Sequence, residues 1–327
     1  MNVINVLVSS AVVLTLMGTM SSRPDETGAA RAGGSPAGDK GPFVVVLGIA
    51  QDGGYPHAGC RKPCCARAWE NPDRRRHVSC LAVVDPQSSS RWIIDATPDF
   101  REQLHALDAV FPAPRPPGID GIFLSHAHVG HYTGLIHLGR EVMGTKEVPV
   151  YAMPRMVDFL SNNGPWDQLV RLNNISIRPM SDGGVVALNE RVSVTPFLVP
   201  HRDEYSETVG FRIDGPNRSV VYISDIDKWE QWGVSINGIV SEVSAAYLDA
   251  TFYDGGEVPG RDMSEIPHPF MVQSMKLFED LPAADKAKIR FIHLNHSNPA
   301  IQPGSEARND VEKRGYRIAE EMEIFRL

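Results

Sequence analysis

The chain contains few cysteines and no excess of basic residues. Four cysteines among 327 residues are too few for a disulfide scaffold. Lysine and arginine together number 32, against 40 aspartates and glutamates, so the formal net charge is −8. A broad nucleic-acid interface needs clustered basic residues, so an acidic chain favours a small-molecule substrate. That substrate can still be anionic, because bound metal ions can dominate the local charge.

The chain also lacks an apolar run long enough to be a comfortable membrane span. Residues 3–17 read VINVLVSSAVVLTLM, which is shorter than the about 20 residues of a transmembrane helix. This length, followed by small residues, is typical of a signal-peptide core, so we expect residues 1–20 to be a signal peptide and the protein to be periplasmic or secreted. No lysine or arginine precedes the run. The alternative is a start at Met20 and a cytoplasmic protein.

Residues 21–41 are rich in Gly, Ala, Ser and Pro without periodicity, which is typical of a disordered linker. From residue 42 to residue 327 short apolar runs end abruptly in Asp, His or Asn, as in GIFLSHAH, VVYISDID and RFIHLNH. Helix-like stretches at 134–143, 153–161 and 267–280 alternate with these runs. The alternation predicts two sheets flanked by helices, an α/β sandwich with one site at a sheet edge.

Three histidines, His126, His128 and His131, lie within six residues. They follow the apolar run GIFL and precede a helix-like segment, so they lie at a strand-to-helix turn. Imidazole is a common ligand for zinc and iron. The spacing therefore predicts a metal site.

Further ligand-type residues follow at the ends of later apolar runs: His201, Asp225 and His293. Each alone is typical of a turn or cap. Their order after the histidine cluster favours a shared metal centre.

This order resembles the metallo-β-lactamase superfamily, whose pattern is His-x-His-x-Asp-His followed by a separate His, an Asp and a final His. The resemblance covers residues 43–327 and implies an αββα sandwich with one or two zinc ions, occasionally iron. It assigns His126, His128 and His201 to the first metal. It assigns His131 and His293 to the second, with Asp225 bridging.

One position departs from the superfamily pattern, because Gly130 replaces the motif Asp. Without that carboxylate we expect the second metal position to be weaker or filled differently. Asp52, in the QDGG turn after the first predicted strand, is the residue that can compensate. The alternative is that Asp52 is an ordinary turn residue.

Within the superfamily the chain most resembles the branch of coenzyme PQQ synthesis protein B. The matching segments are LGIAQDGGYPHAGCRKPCC, DATPDFREQL, HYTGL, IHLNHSNPA and a C-terminal MEI. The phosphonate-pathway cyclic phosphodiesterase and tRNase Z are more distant relatives of the same shape.

Three cysteines, Cys60, Cys64 and Cys65, cluster in the loop after the first strand. Three thiolates need a fourth ligand to close a structural zinc site, and His296 is the candidate. The cyclic phosphodiesterase is similar, with three loop cysteines and a His in a THISH-type ending. Adjacent cysteines can both bind only through a tight turn. The alternatives are ordinary thiols or a Cys60–Cys80 disulfide.

The predicted function is hydrolysis of an ester-type bond, phosphodiester or lactone, by a metal-bound hydroxide that Asp225 orients. Asp249 is a candidate for orienting a ligand histidine, and Tyr132 either contacts substrate or packs. The resemblance to tRNase Z makes His268 a proton donor that binds no metal; otherwise it is a surface histidine. Two other functions stay open: a carrier or biosynthesis protein that binds a quinone cofactor or precursor, and an iron-dependent oxygenase.

Overall fold

The computed structural model describes residues 41–258, 260 and 262–327. The predicted signal peptide at 1–20 and all but the last residue of the predicted linker lie outside the described residues, so export and these boundaries stay predictions. Within the described range, no helix combines the length and the apolar character needed to cross a bilayer.

Seven strands form the first sheet, in the order β14-β1-β2-β3-β4-β5-β6. Neighbours from β14 to β3 are antiparallel, and neighbours from β3 to β6 are parallel. The strands are β1 (Phe43–Gly48), β2 (Cys80–Asp85), β3 (Ser90–Ile94), β4 (Gly121–Phe123), β5 (Val148–Ala152), β6 (Ile175–Pro179) and β14 (Ile324–Arg326).

The second sheet also has seven strands, in the order β13-β12-β11-β10-β9-β8-β7. Neighbours from β10 to β13 are parallel, and those from β7 to β10 are antiparallel. The strands are β7 (Val186–Ala187), β8 (Ser193–Leu198), β9 (Val209–Asp214), β10 (Ser219–Ile223), β11 (Ala245–Asp249), β12 (Ile289–Ile292) and β13 (Arg317–Ile318).

Strand β1 is buried on both faces, which explains its unbroken apolar sequence FVVVLG. Val44 and Val46 pack in one core with Phe211 of the second sheet. Phe43 and Val45 point the other way, into a second core between the first sheet and its helices. A strand that is apolar at every position is expected where both faces of a sheet are covered. The sheets therefore stack face to face between helical layers, and the predicted αββα sandwich is confirmed.

Each sheet has its own helical layer. Leu107, Leu160 and Leu169 of three helices pack against the first sheet, and Val240, Met275 and Val311 of three others join the core of the second. The helices are α1 (Pro63–Glu70), α2 (Phe100–Val110), α3 (Val129–Tyr132), α4 (Pro154–Asn162), α5 (Trp166–Arg171), α6 (Ile236–Glu242), α7 (Met271–Leu277), α8 (Ala283–Lys286) and α9 (Glu306–Lys313).

Two of the three helix-like stretches differ from expectation. The stretch 134–143 contains a 3₁₀ turn, Thr133–Leu138, and no α-helix. The reason is tertiary: Gly134 donates its backbone N–H to the Ala96 carbonyl at 2.9 Å and packs directly on the Thr97 carbonyl. The stretch 267–280 forms a helix only from Met271 onward, which agrees with prolines ending or preceding helices.

Candidate metal centre

The candidate ligands follow the ends of strands from both sheets. His126 lies just after β4 and His131 in the short helix α3, on the side of the first sheet. Asp225 follows β10 and His293 follows β12, two strands of the parallel part of the second sheet. His201 lies three residues after β8. Because these strand ends meet at one edge of the sandwich, residues far apart in the chain converge there.

One set of three imidazoles comprises His126, His128 and His201, whose candidate ligand atoms lie within 4.8 Å of one another. Nε2 of His126 is 2.9 Å from Nδ1 of His128. Nε2 of His201 is buried and has no hydrogen-bond partner among the described residues. A buried polar atom without a partner is costly, and a metal ion would satisfy it. These three nitrogens therefore fit one cation.

A second set lies beside the first and comprises Asp52, His131, Asp225 and His293. Nε2 of His131 is 3.0 Å from Asp52 Oδ1 and 3.0 Å from Asp225 Oδ2. Nε2 of His293 is 3.4 Å and 3.2 Å from the same two oxygens. Two carboxylate oxygens and two imidazole nitrogens suit a divalent ion.

Asp225 faces both sets. Its Oδ2 lies toward His131 and His293, whereas its Oδ1 is 3.7 Å from Nε2 of His201. Its side chain is only 4% exposed. Burial alone would raise the pKa of this carboxyl, but the imidazoles of His293, His131 and His126 hold it well below the ordinary value. A buried carboxylate between two imidazole sets has the arrangement of a bridging ligand.

Hydrogen bonds to the second ring nitrogen orient most of the histidines. His131 donates from Nδ1 to Asp95 at 2.7 Å, and His201 donates from Nδ1 to Asp227 at 3.1 Å. His128 uses the opposite nitrogens: its Nδ1 faces His126, and its Nε2 lies 2.9 Å from the Glu204 carboxylate. Such partners fix ring orientation and raise ligand basicity.

Two consecutive hydrogen bonds connect the His293 ring to Asp249 through Thr251. Its Nδ1 donates to Thr251 Oγ1 at 3.0 Å, and this hydroxyl donates to Asp249 Oδ1 at 2.7 Å. His293 has a positive φ of 64°, a conformation that costs energy for a residue with a side chain and that clusters at functional sites. Asp249 thus orients His293, a candidate metal ligand, through Thr251.

Sequence reasoning missed Asp95, Asp227, Glu204 and Thr251. The first two end or follow strands in the segments IIDAT and SDID, so a carboxylate directly after an apolar run was the available signal. Glu204 has no comparable signal, because it lies in the polar segment HRDEYSE. Tyr132 packs against Trp166, with ring centroids 5.0 Å apart.

Asp52 occupies the space that the motif carboxylate would need. A Cβ built on Gly130 would lie 2.7 Å from Asp52 Cα and collide with its carboxylate. The loop that carries Asp52 is fixed to the end of β12, because Gln51 donates its backbone N–H to the Leu294 carbonyl at 2.9 Å. The second set therefore has two carboxylates, Asp52 and Asp225, although Gly130 replaces the motif Asp. This geometry gives no reason to expect that the second metal position is weakened by the loss of the motif carboxylate.

Comparison with known protein families identifies a superfamily with this fold. A family model described as a β-lactamase superfamily domain matches residues 90–317. The chain belongs to the metallo-β-lactamase superfamily.

Among curated relatives, coenzyme PQQ synthesis protein B of Methylobacterium sp. (strain 4-46) is 27% identical over 301 residues, 84% of this chain and 97% of that protein. The protein of the same name from Xanthomonas oryzae pv. oryzae (strain MAFF 311018) is 25% identical with the same coverage. The chain is thus similar to coenzyme PQQ synthesis proteins over nearly their whole length.

Solved structures show the same architecture. Zn(2+)-bound PqqB from Methylobacterium extorquens aligns with a TM-score of 0.72 and 25% identity, covering 87% of this chain and 100% of that one. A diphosphatase of the PhnP family gives a TM-score of 0.61 at 21% identity, covering 88% and 97%. Human tRNase Z, short form, gives 0.53 at 15%, covering 86% and 98%. The last two show the fold alone.

The cysteine cluster of this superfamily member lies apart from the histidine centre. The candidate ligand atoms of Cys60, Cys64, Cys65 and His296 lie within 4.8 Å of one another. Cys64 and Cys65 occupy the first turn of α1, directly after Pro63, and this helical turn is the tight turn that adjacent cysteines require. Burial lowers the pKa of His296 to about 4, so its imidazole is neutral at neutral pH. The four residues could hold a tetrahedral metal ion.

The four cysteines are free thiols in the structure, and the Cys60–Cys80 disulfide is absent. Sγ of Cys60 lies 3.7 Å from Sγ of Cys64. Cys80 is fully buried in β2, where its thiol donates to the Asp95 carbonyl at 3.5 Å.

His268 lies beside the histidine centre and is 8% exposed, so it is not a surface histidine. Its Nδ1 donates to Asp249 Oδ2 at 2.7 Å and is 4.0 Å from Asp225 Oδ1. Its ring centroid is 5.3 Å from that of His201. Since the carboxylate of Asp249 occupies Nδ1, Nε2 is the nitrogen left for substrate chemistry.

Proposed function

We propose that this protein is a metal-dependent hydrolase that cleaves an ester-type bond, either a phosphodiester or a lactone. The observation that carries the proposal is the buried Asp225 carboxylate between two sets of imidazoles, with His268 beside it. This donor set fits two divalent cations and places an acid–base histidine next to them.

Zinc is the proposed metal, because a Zn(2+)-bound relative has the same fold and because imidazole and carboxylate are zinc ligands. His126, His128 and His201 would hold the first ion. His131, His293 and Asp52 would hold the second, with Asp225 shared. Bound zinc supplies a water molecule whose pKa is lowered to about 7 and a Lewis acid for the attacked oxygen.

The protein's own residues then orient and transfer protons. The Asp225 carboxylate accepts a hydrogen bond from the attacking water and fixes its direction. His268, as the imidazolium with both ring nitrogens protonated, would donate its Nε2 proton to the leaving oxygen and become neutral, while Asp249 accepts the hydrogen bond from Nδ1–H and stabilises the positive charge before the transfer. The hydrogen bond from Lys228 Nζ to the His268 carbonyl at 2.6 Å fixes the backbone of this histidine.

A hydrolysis assay tests the proposal. Zinc-reconstituted protein is incubated with bis(4-nitrophenyl) phosphate and with a panel of lactones. We expect turnover of at least one class, lost in the His126→Ala/His128→Ala double variant. A fully zinc-loaded protein that cleaves neither class would refute the hydrolase function.

Cys60, Cys64, Cys65 and His296 would hold a structural zinc. This ion would fasten the start of α1 to the segment that follows β12 and would stabilise the fold directly.

A role in coenzyme PQQ synthesis is the second candidate function. It is favoured by the similarity to coenzyme PQQ synthesis protein B, which covers 84% of this chain. In that role the protein binds a quinone cofactor or its precursor. Tight quinone binding without hydrolysis would favour this function. Oxygen uptake by iron-loaded protein would indicate an oxygenase.

A further inference from the structure

A basic segment lies within this acidic chain. Residues 61–77 contain six lysines and arginines but only two acidic residues, whereas the whole chain has a net charge of −8. The segment spans α1 and the 3₁₀ turn Pro72–Arg74, and it includes the run Arg74-Arg75-Arg76. Neither the proposed hydrolysis nor the proposed structural zinc uses these charges.

Two arginines of the run donate hydrogen bonds to nearby backbone carbonyls. Arg75 donates from Nε to the Ala68 carbonyl at 3.4 Å, and Arg76 donates from Nη1 to the Asp73 carbonyl at 2.9 Å. Arg74 differs from both, because within the described part of the chain its guanidinium forms neither a hydrogen bond nor an ion pair.

Arg74 and Arg67 line one cavity of about 530 Å³. The opposite wall is the segment from His296 to Ser305, between β12 and α9. Like Arg74, Arg67 has no hydrogen bond or ion pair from its side chain to a described residue. No aspartate or glutamate of the described residues lines the cavity, so both positive charges lack an internal counterion.

Side chains on the wall of the cavity are already hydrogen-bonded elsewhere. Asn298 donates to the Ala250 carbonyl at 2.8 Å, and Ser297 donates to Glu257 at 2.9 Å. The wall is therefore preorganised, and the guanidinium groups of Arg67 and Arg74 are charged donors without a hydrogen-bond partner among the described residues. A guanidinium presents a planar fork of donors that fits carboxylate and phosphate oxygens.

We propose that this cavity is a binding site for a small polyanionic molecule, whose phosphate or carboxylate groups bind Arg67 and Arg74. Its volume falls in the range of small-molecule pockets, about 300–1,000 Å³. No proposed ligand of the histidine centre lines the cavity, so the site is distinct from that centre. Cys64 and His296 do form part of its wall, so the proposed structural zinc would join the two sides of the cavity.

Calorimetric titration of the full-length, metal-loaded protein tests the site with two probes. Fructose 1,6-bisphosphate represents phosphates, and benzene-1,3,5-tricarboxylate represents carboxylates. We expect one probe to bind with a stoichiometry of one. The Arg67→Gln/Arg74→Gln double variant should weaken this binding at least tenfold, with unchanged metal content and melting temperature because neither side chain supports the fold.

The matched control is Arg140→Gln/Arg171→Gln, which removes two exposed arginines that are ion-paired with Glu141 and Asp167. This variant has the same net charge as the test variant and should bind within twofold of wild type. Equal weakening in both double variants would indicate a general charge effect and overturn the proposal. Loss of probe binding in His126→Ala/His128→Ala would locate the anion at the histidine centre instead. Absence of binding by either probe, or tighter binding of a short RNA that depends on the same arginines, would also contradict it.

Discussion

At the scale of single residues, Asp52 supplies the second candidate ligand set with the carboxylate that the motif position, Gly130, lacks. The sequence identifies both residues, but it cannot show that they occupy one space. The structure does, because a Cβ at Gly130 collides with Asp52. The two residues are thus alternatives: a carboxylate from the loop after β1 requires a glycine in the histidine motif.

We therefore expect Gly130→Asp to lower the metal content of the histidine centre, since the new side chain displaces Asp52 and overpacking costs about 1–3 kcal/mol. The double variant Asp52→Gly/Gly130→Asp moves the carboxylate to the motif and should recover metal. Metal analysis of the purified variants checks both statements. Undiminished metal in the single variant would show that the two side chains coexist.

The proposed role of His268 as proton donor has a measurable kinetic effect. A positioned general acid contributes about 10²–10⁴-fold in rate, so His268→Ala should lower kcat by that order with full metal content. His105→Ala is the matched control, because His105 is exposed on α2 and should leave kcat unchanged. Metal loss together with activity in His268→Ala would mean that His268 is a ligand.

At the scale of elements, the apolar runs predicted the strands well. FVVVLG, RWII, GIF, VVYI and RFI all lie in strands, and the residues that end or follow them converge because both sheets have parallel parts. The stretch 134–143 contains a 3₁₀ turn instead of the expected helix, because Gly134 donates its backbone N–H to the Ala96 carbonyl and lies too close to Thr97 for a side chain. Orienting partners such as Glu204 could not be predicted, since their positions depend on loops that tertiary packing shapes.

The cysteine cluster joins two elements, α1 and the segment after β12. We expect Cys60→Ser to remove one equivalent of zinc and to lower the melting temperature by at least about 5 °C, the effect of losing a few kcal/mol in a chain of this size. Cys80→Ala serves as the control, because Cys80 lies in β2 away from the cluster and should keep the zinc. Equal stability and zinc content in Cys60→Ser would mark these thiols as ordinary.

At the scale of the whole molecule, the proposed ligands of the histidine centre come from both halves of the sandwich. Asp52, His126 and His131 come from the side of the first sheet, and Asp225 and His293 from the second. A bound ion therefore links the sheets. An ion at 100 times its dissociation constant stabilises the native state by about 2.7 kcal/mol.

Metal removal should therefore lower the melting temperature of wild type. Scanning calorimetry before and after chelation measures this, and re-addition of zinc should restore the value. The His126→Ala/His128→Ala variant should show a smaller shift, because only the cysteine cluster and part of the centre remain to lose metal. An identical shift in this variant would contradict the ligand assignment.

The proposed histidine centre would hold two metal ions, with Asp52 in the second ligand set and Asp225 shared between the two sets. The most direct measurement is an anomalous difference map, collected at the zinc absorption edge from crystals of zinc-reconstituted protein. We expect two peaks in the centre about 3.5–4 Å apart, one contacted by His126, His128 and His201 and the other by Asp52, His131 and His293. A single peak with Asp52 turned away from it, or no peak in the centre, would rule out this two-metal centre.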